Sequence, residues 1–244
     1  MNDLSKCPLS VVIPVYNEMD NVAQLANEVD IALKQFTGYE LVYVDDGSSD
    51  DTVSSIKKIT LQNGTLKLVR HLKNAGQSTA LLSGIRSAKS LIICTLDGDG
   101  QNDPADIPQV LAVYLEQNSP TLVAGHRAER NDTFIRKLSS RVANHIRMRL
   151  LDDECLDTGC SLKLFDRDLF LKLPHFNHLH RFMPALFKRA GCQIINIPVN
   201  HRARHAGISK YGVGNRLFVG IKDILGVRWL QQRPVNVETE ESEL

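Results

Sequence analysis

LSVVIPVY, from Leu9 to Tyr16, is a short apolar run rich in β-branched residues, and Asp20 to Phe36 then spaces Val22, Leu25, Ala26, Val29 and Leu33 at helical intervals. The change of period reads as a buried strand feeding an amphipathic helix. The unit recurs. Glu40 to Val44 reads as strand and Asp51 to Leu61 as helix, Leu66 to Val69 as strand and Ser78 to Ala88 as helix, and Leu91 to Leu96 as strand again. Strands that alternate with helices pair in parallel through right-handed crossovers. The expected fold is therefore α/β, a Rossmann-like, mostly parallel sheet with helices on both faces.

Beyond Pro104 the alternation loosens. Helices are expected near Ile107 to Gln117, Thr133 to Leu151, Arg167 to Leu173 and His180 to Ala190, with strands at Thr121 to Gly125, Ser161 to Phe165 and Gln193 to Val199. Between His126 and Arg149 seven Arg or Lys face two acids, a run whose ordinary meaning is a solvated helix face. His201 to Asn215 is rich in glycine, lacks acids and reads as a mobile loop. Residues 1–214 are taken as one domain, 215–233 as a C-terminal amphipathic helix and 234–244 as an acidic, disordered tail. In that helix Leu217, Phe218, Ile221, Leu225 and Trp229 share a side, a pattern that suits a membrane surface, a second subunit (a homo-oligomer) or the chain's own domain.

The 244 residues suit one sizeable domain, and 43% hydrophobic with 23% charged residues exclude wholesale disorder. A formal net charge of +1 gives no global field for a nucleic-acid partner. Cys7, Cys94, Cys155, Cys160 and Cys192 include no CxxC pair, so reduced, mostly buried thiols are expected rather than a zinc site. The start MNDLSKCPLS lacks the pattern of a secretory signal, and no run approaches the roughly 20 apolar residues that span a bilayer. The expected location is cytoplasmic, with peripheral contact at a membrane face left open.

In parallel α/β sheets ligands bind beyond the carboxyl ends of the strands. Those ends carry Tyr16-Asn17-Glu18, Asp45-Asp46-Gly47 and Asp97-Gly98-Asp99, which are expected to face one cleft. Two carboxylates one residue apart can hold Mg²⁺ or Mn²⁺, hard cations that share their oxygen shell with substrate phosphates, and Gln101 could add a neutral oxygen. The alternative is an ordinary surface turn. Asp45 or Asp46 could accept hydrogen bonds from a nucleobase or ribose and Tyr16 could stack on the base, whereas Asp50 reads as a helix cap.

PVYNE at Pro14 to Glu18, VDDGSSDDT at Val44 to Thr52, NxG at Asn74 to Gly76 and LDGDGQNDP at Leu96 to Pro104 together resemble the family-2 glycosyltransferases of the GT-A fold. Within that family GHRAER at Gly125 to Arg130, RKLSSRVAN at Arg136 to Asn144, DTGCSLKLF at Asp157 to Phe165 and RHAGISKY at Arg204 to Tyr211 are similar to the dolichyl- and polyprenyl-phosphate sugar transferases. The resemblance implies that Pro14, Tyr16, Glu18 and Asp45 or Asp46 contact the nucleoside, with Gly76, Asp97 and Gly98 also in the nucleotide-sugar site. It implies that Asp97, Asp99 and Gln101 hold the metal and that Arg127, Arg136, Ser140, Arg204, Ser209 and Lys210 face phosphates. Gly100-Gln101-Asn102-Asp103-Pro104 departs from the family's usual LQxPP.

The implied reaction moves a sugar, with inversion, from a nucleotide-sugar to a polyprenyl phosphate. A lipid monophosphate is already anionic near neutral pH and needs no strong base, whereas a hydroxyl acceptor usually does. Asp157, with Asp99 the other catalytic candidate, is a base, an orienting carboxylate or a helix or turn cap. Competing readings are transfer to a glycan or lipid-linked hydroxyl and a non-catalytic nucleotide-binding scaffold. A phosphatase would place DxDxT on an early strand, and a dinucleotide oxidoreductase would place GxGxxG after the first.

Overall fold

The computed structural model describes residues 8–36, 38–127, 147–202 and 214–233. A seven-stranded sheet runs in the order β3-β2-β1-β4-β6-β5-β7. Its strands are β1 (Leu9–Val15), β2 (Glu40–Asp45), β3 (Thr65–Arg70), β4 (Ile92–Thr95), β5 (Thr121–Arg127), β6 (Lys163–Asp166) and β7 (Gln193–Val199). The helices are α1 (Val22–Ala32), α2 (Thr52–Lys57), α3 (Gln77–Ser87), α4 (Ile107–Leu115), α5 (Arg167–Lys172), α6 (Met183–Arg189) and α7 (Gly214–Gln231).

Because side chains alternate across a strand, each strand feeds two cores. Val11, Ile13, Leu41 and Tyr43 pack with α1, α2 and α4 on one face. Val12, Val42, Val44 and Phe165 pack with α3, α5, α6 and Val227 of α7 on the other. This double burial explains why the early strands read as continuous apolar runs rather than as alternating ones.

β1 pairs in parallel with β2 and β4, so the winding reverses beside β1 and opens a crevice at the strand ends. The exception to parallel pairing is β6, which lies antiparallel between β4 and β5. The entering end of β6 therefore meets the leaving end of β4, with Lys163 opposite Thr95.

Some elements differ from the sequence expectation. α2 stops at Lys57, yet Ile59 and Leu61 still pack against the core, so their apolar spacing reflects burial of extended chain. The helix expected over His180 to Ala190 divides into a 3₁₀ turn, Leu179–Arg181, and α6, with a proline in the first turn of α6 where its missing N–H costs nothing. Residues 147–151 are helical, but Arg147 is not on a solvated face. It is buried against Asp153, donates to the Cys155 carbonyl and to Thr158, and so braces the chain that leads into β6.

Cys94, Cys155, Cys160 and Cys192 are buried free thiols, and burial raises the pKa of each above its ordinary value. Among the described residues no helix is long and apolar enough to cross a membrane. On α7, Val227 is buried while Ile221, Leu225 and Trp229 stand exposed at four-residue spacing. The tail expected over 234–244, and most of the expected loop 201–215, lie outside the described residues.

Candidate active site

A cleft of about 480 Å³ opens at the carboxyl ends of β1 and β4 and the entering end of β6. Pro14, Tyr16, Glu18, Asp46, Gly76, Asp97, Gly98, Asp99, Gln101 and Arg127 all line it. Residues brought together from five segments of sequence thus share one space. Arg136, Ser140, Arg204, Ser209 and Lys210 lie outside the described residues.

The wall from β1 is shaped by a turn that locks the Asn17–Glu18 backbone. Asn17 adopts a left-handed conformation; its N–H donates to Ser48 Oγ, and its side-chain oxygen accepts from the Ser49 N–H. The Glu18 N–H donates to Thr52 Oγ1, while Asp50 accepts from the Thr52 N–H and hydroxyl; the cap position of α2 is Asp51, without a side-chain bond, so Asp50 ties down the first helical residue from one place before the cap. These side-chain bonds satisfy backbone groups that regular structure leaves unpaired.

Of the acidic pair, Asp46 alone reaches the cleft. Strand alternation turns Asp45 the other way: it is fully buried, accepts from the Ser48 N–H and lies 3.6 Å from Arg70 Nε. Asp46 accepts from the Ala75 and Gly76 N–H groups at 2.9 and 2.8 Å and pairs with His71 Nδ1 at 2.7 Å. It thereby fixes the loop on which Asn74 and Gly76 face the cavity. Gly76 has φ +89°, a left-handed backbone that glycine adopts without strain, and it caps the start of α3.

Gln77 on the first turn of α3 donates to Asp97 Oδ1 at 2.8 Å and so orients that carboxylate. Gly98 presses the acidic loop onto β1: a Cβ there would stand 2.6 Å from Val15 Cγ1 and 2.9 Å from the Pro14 oxygen. Asp99 accepts from the Gln101 N–H, closing the turn. Burial raises the Asp97 pKa and the neighbouring Asp99 charge raises it further, with a Ser161 hydrogen bond and the charges of Lys163 and Arg127 opposing them.

Two crowded carboxylates of this kind fit a divalent cation, whose charge would relieve their repulsion. No group of three or more His, Cys, Asp or Glu gathers for a metal among the described residues. A cation at Asp97, Asp99 and Gln101 would thus complete its shell from water and substrate phosphate, the habit of Mg²⁺.

On the opposite side Arg127 forms a two-pronged pair with Asp157, Nε to Oδ2 at 2.6 Å and Nη2 to Oδ1 at 2.8 Å. Burial works against the Arg127 charge, but Asp157 outweighs it and raises the guanidinium pKa above its ordinary value. Asp157 also accepts from the Gly159 N–H. These bonds place it as an anchor for the guanidinium and for the turn.

Sequence reasoning passed over the inner wall. Lys163, only 3% exposed, lines the cleft and donates to the Cys160 and Thr158 carbonyls. His180 and Arg181 line it too, and the Ser78 hydroxyl meets His180 Nδ1 at 2.8 Å. Burial, then the charges of Arg181, Lys163 and His178, push the His180 pKa down to about 3, so the imidazole is neutral. A lysine inside the apolar run Leu162 to Phe165 was the available signal, because buried lysines are rare.

The glycosyl transferase family 2 model matches residues 10–173. The dodecaprenyl-phosphate galacturonate synthase of Rhizobium johnstonii is 36% identical over 229 residues, covering 92% of this chain and 67% of the relative. The undecaprenyl-phosphate 4-deoxy-4-formamido-L-arabinose transferase of Edwardsiella ictaluri is 33% identical over 207 residues, 84% of this chain and 63% of the relative. The chain thus spans about two thirds of the length of these relatives. Among solved structures, glucosyl-3-phosphoglycerate synthase from Mycobacterium tuberculosis in complex with Mn²⁺, UDP and glucosyl-3-phosphoglycerate superposes with a TM-score of 0.67 over 92% of this chain and 80% of that one. At 18% identity that likeness establishes the shared fold.

Proposed function

The chain belongs to glycosyl transferase family 2, and on that premise we propose that it transfers a sugar, with inversion, from a nucleoside diphosphate sugar to a polyprenyl phosphate. The observation that carries the proposal is the meeting of Asp97 and Asp99 with Arg127 in one cleft at the strand-order reversal. The names of the two relatives supply the acceptor class, dodecaprenyl or undecaprenyl phosphate. Their sugars differ, one a uronate and the other not.

Bound Mg²⁺ or Mn²⁺, held by Asp97, Asp99 and Gln101, would stabilise charge on the departing diphosphate. Gln77 keeps the Asp97 carboxylate aimed, and the Pro14–Glu18 turn with Asp46 bounds the nucleoside end. A lipid phosphate oxygen attacks the anomeric carbon in line. The new C–O bond forms as the bond to the diphosphate oxygen breaks, releasing nucleoside diphosphate and leaving polyprenyl-phosphate sugar. Arg127 offsets the repulsion between the two phosphate-bearing substrates.

Asp157, with both oxygens committed to Arg127, is poorly disposed to remove a proton, which favours an acceptor that brings its own negative charge. Arg136, Ser140, Arg204, Ser209 and Lys210 complete the phosphate-facing set in this proposal. The exposed Ile221, Leu225 and Trp229 of α7 offer an apolar face to the bilayer in which such an acceptor resides. The test is to supply one labelled donor with a polyprenyl phosphate and with soluble glycans, with and without chelator. Label in lipid, lost on chelation, is expected; label only in glycan would overturn the acceptor assignment.

A further inference from the structure

Across the mouth of the cleft the strands stand in the order β2, β1, β4, β6. If, as proposed above, the donor's nucleoside lies at the β1 and β2 end and its diphosphate at Asp97 and Asp99 after β4, the sugar comes to rest over β6. Lys163 opens β6 and pairs in register with Thr95, two residues before Asp97. Only the part of the donor that enters deepest can touch it, because the residue is 3% exposed.

The same wall bears a second cation, Arg181, half-buried on the 3₁₀ turn before α6. Among the described residues neither Lys163 nor Arg181 has a carboxylate within ion-pair distance. His180, which lines the same cleft, has a neutral imidazole bonded to Ser78. Lys163 donates to carbonyl oxygens alone. A lysine so deeply placed gives up much of its hydration, and beside these dipoles the carboxylate charge that it meets is that of Asp97, one of the two proposed metal-holding acids. A neutral hexose would present hydroxyls here and bring no anion to either cation.

We propose that Lys163, with Arg181, forms an anion-reading subsite for the transferred sugar, and that the donor is a nucleotide-activated uronic acid whose carboxylate takes charge-assisted hydrogen bonds from Lys163. The subsite rests on the donor reading given above and narrows it to one class. The second source of an anion is the acceptor's phosphate, for which the reading above already assigns Arg127.

Calorimetry of the full chain with Mn²⁺ tests the proposal through matched pairs, UDP-galacturonate against UDP-galactose and GDP-mannuronate against GDP-mannose, with UDP and GDP alone as references. In at least one pair the uronate should bind tenfold tighter or more. Lys163→Met should erase that preference while the nucleoside diphosphate binds within twofold of wild type, and Arg181→Met should reduce it. Equal or better binding of the neutral sugar in both pairs by the wild-type chain overturns the subsite, whether or not the variants fold. A variant that loses UDP or GDP to the same extent as the uronate would reassign Lys163 to the diphosphate. One that changes only the KM for polyprenyl phosphate would reassign it to the acceptor. If neither UDP nor GDP binds at all, the donor reading itself fails, an outcome separate from the loss of sugar preference.

Discussion

Asp157→Asn is the substitution that most directly weighs the Arg127 anchor. The two side chains are 14% and 10% exposed and share two short charge-assisted bonds, so little water can replace a lost partner. Breaking a fully buried pair costs about 3–5 kcal/mol, and residual exposure argues for the lower end, about 3 kcal/mol here. For a domain of this size that corresponds to a fall in Tm of about 6–12 °C. Arg127→Met should cost a similar amount. In the double variant the second substitution should cost far less, because the partner left charged and unpaired is gone, giving a coupling energy of about 2 kcal/mol. Urea unfolding of the four proteins measures the cycle. A coupling below about 0.5 kcal/mol, or single variants as stable as wild type, would refute the claim that Asp157 holds Arg127 in place.

Asp99→Ala should abolish metal-dependent transfer while thermal unfolding stays cooperative; full retained turnover would remove Asp99 from the metal site. Gly98→Ala should cost about 1–3 kcal/mol, since its methyl group would meet Val15 and the Pro14 carbonyl, and should weaken Mn²⁺-dependent donor binding by displacing the acidic loop from β1; unchanged stability and binding would show that the contact is slack. His180 gives a pH signature. Its folded pKa, about 3, lies below the ordinary 6.5, so the unfolded chain takes up the proton first as pH falls through 6.5. Stability from this group is complete above pH 6.5 and declines toward pH 3, by about 2 kcal/mol at pH 5. Unfolding at pH 7 and pH 5 should show His180→Gln losing that much less than wild type, and an equal loss in both would exclude the assignment.

The early βα units could be read from period alone because their strands are buried on both faces and their helices on one, as Val11 to Val15 and Val22 to Val29 illustrate. Direction was not legible for β6: Leu162 to Phe165 announces a strand, but pairing depends on where the preceding chain returns. The acidic loops were legible as site elements, yet strand alternation decides that Asp46 faces the cavity and Asp45 the turn, and no residue type encodes that choice. His180 and Arg181 were missed because each resembles ordinary surface chemistry until the 3₁₀ turn brings them to the inner wall, whereas Lys163 carried a signal in the apolar run around it. Arg147 misled for the opposite reason: its place among polar helix positions hid a buried bond network.

The reversed strand inside the sheet also bears on how the nascent chain survives its own synthesis. β3, β2, β1 and β4 can associate as soon as Thr95 has emerged, but the outer edge of β4 stays unsatisfied until Lys163 to Asp166 arrive. At about 5–20 residues per second the intervening stretch, roughly 70 residues, leaves that edge open for several seconds on the ribosome. An open edge with apolar flanks is a template for joining another chain. Slowed elongation between these two points should therefore raise aggregation more than the same delay placed after β6.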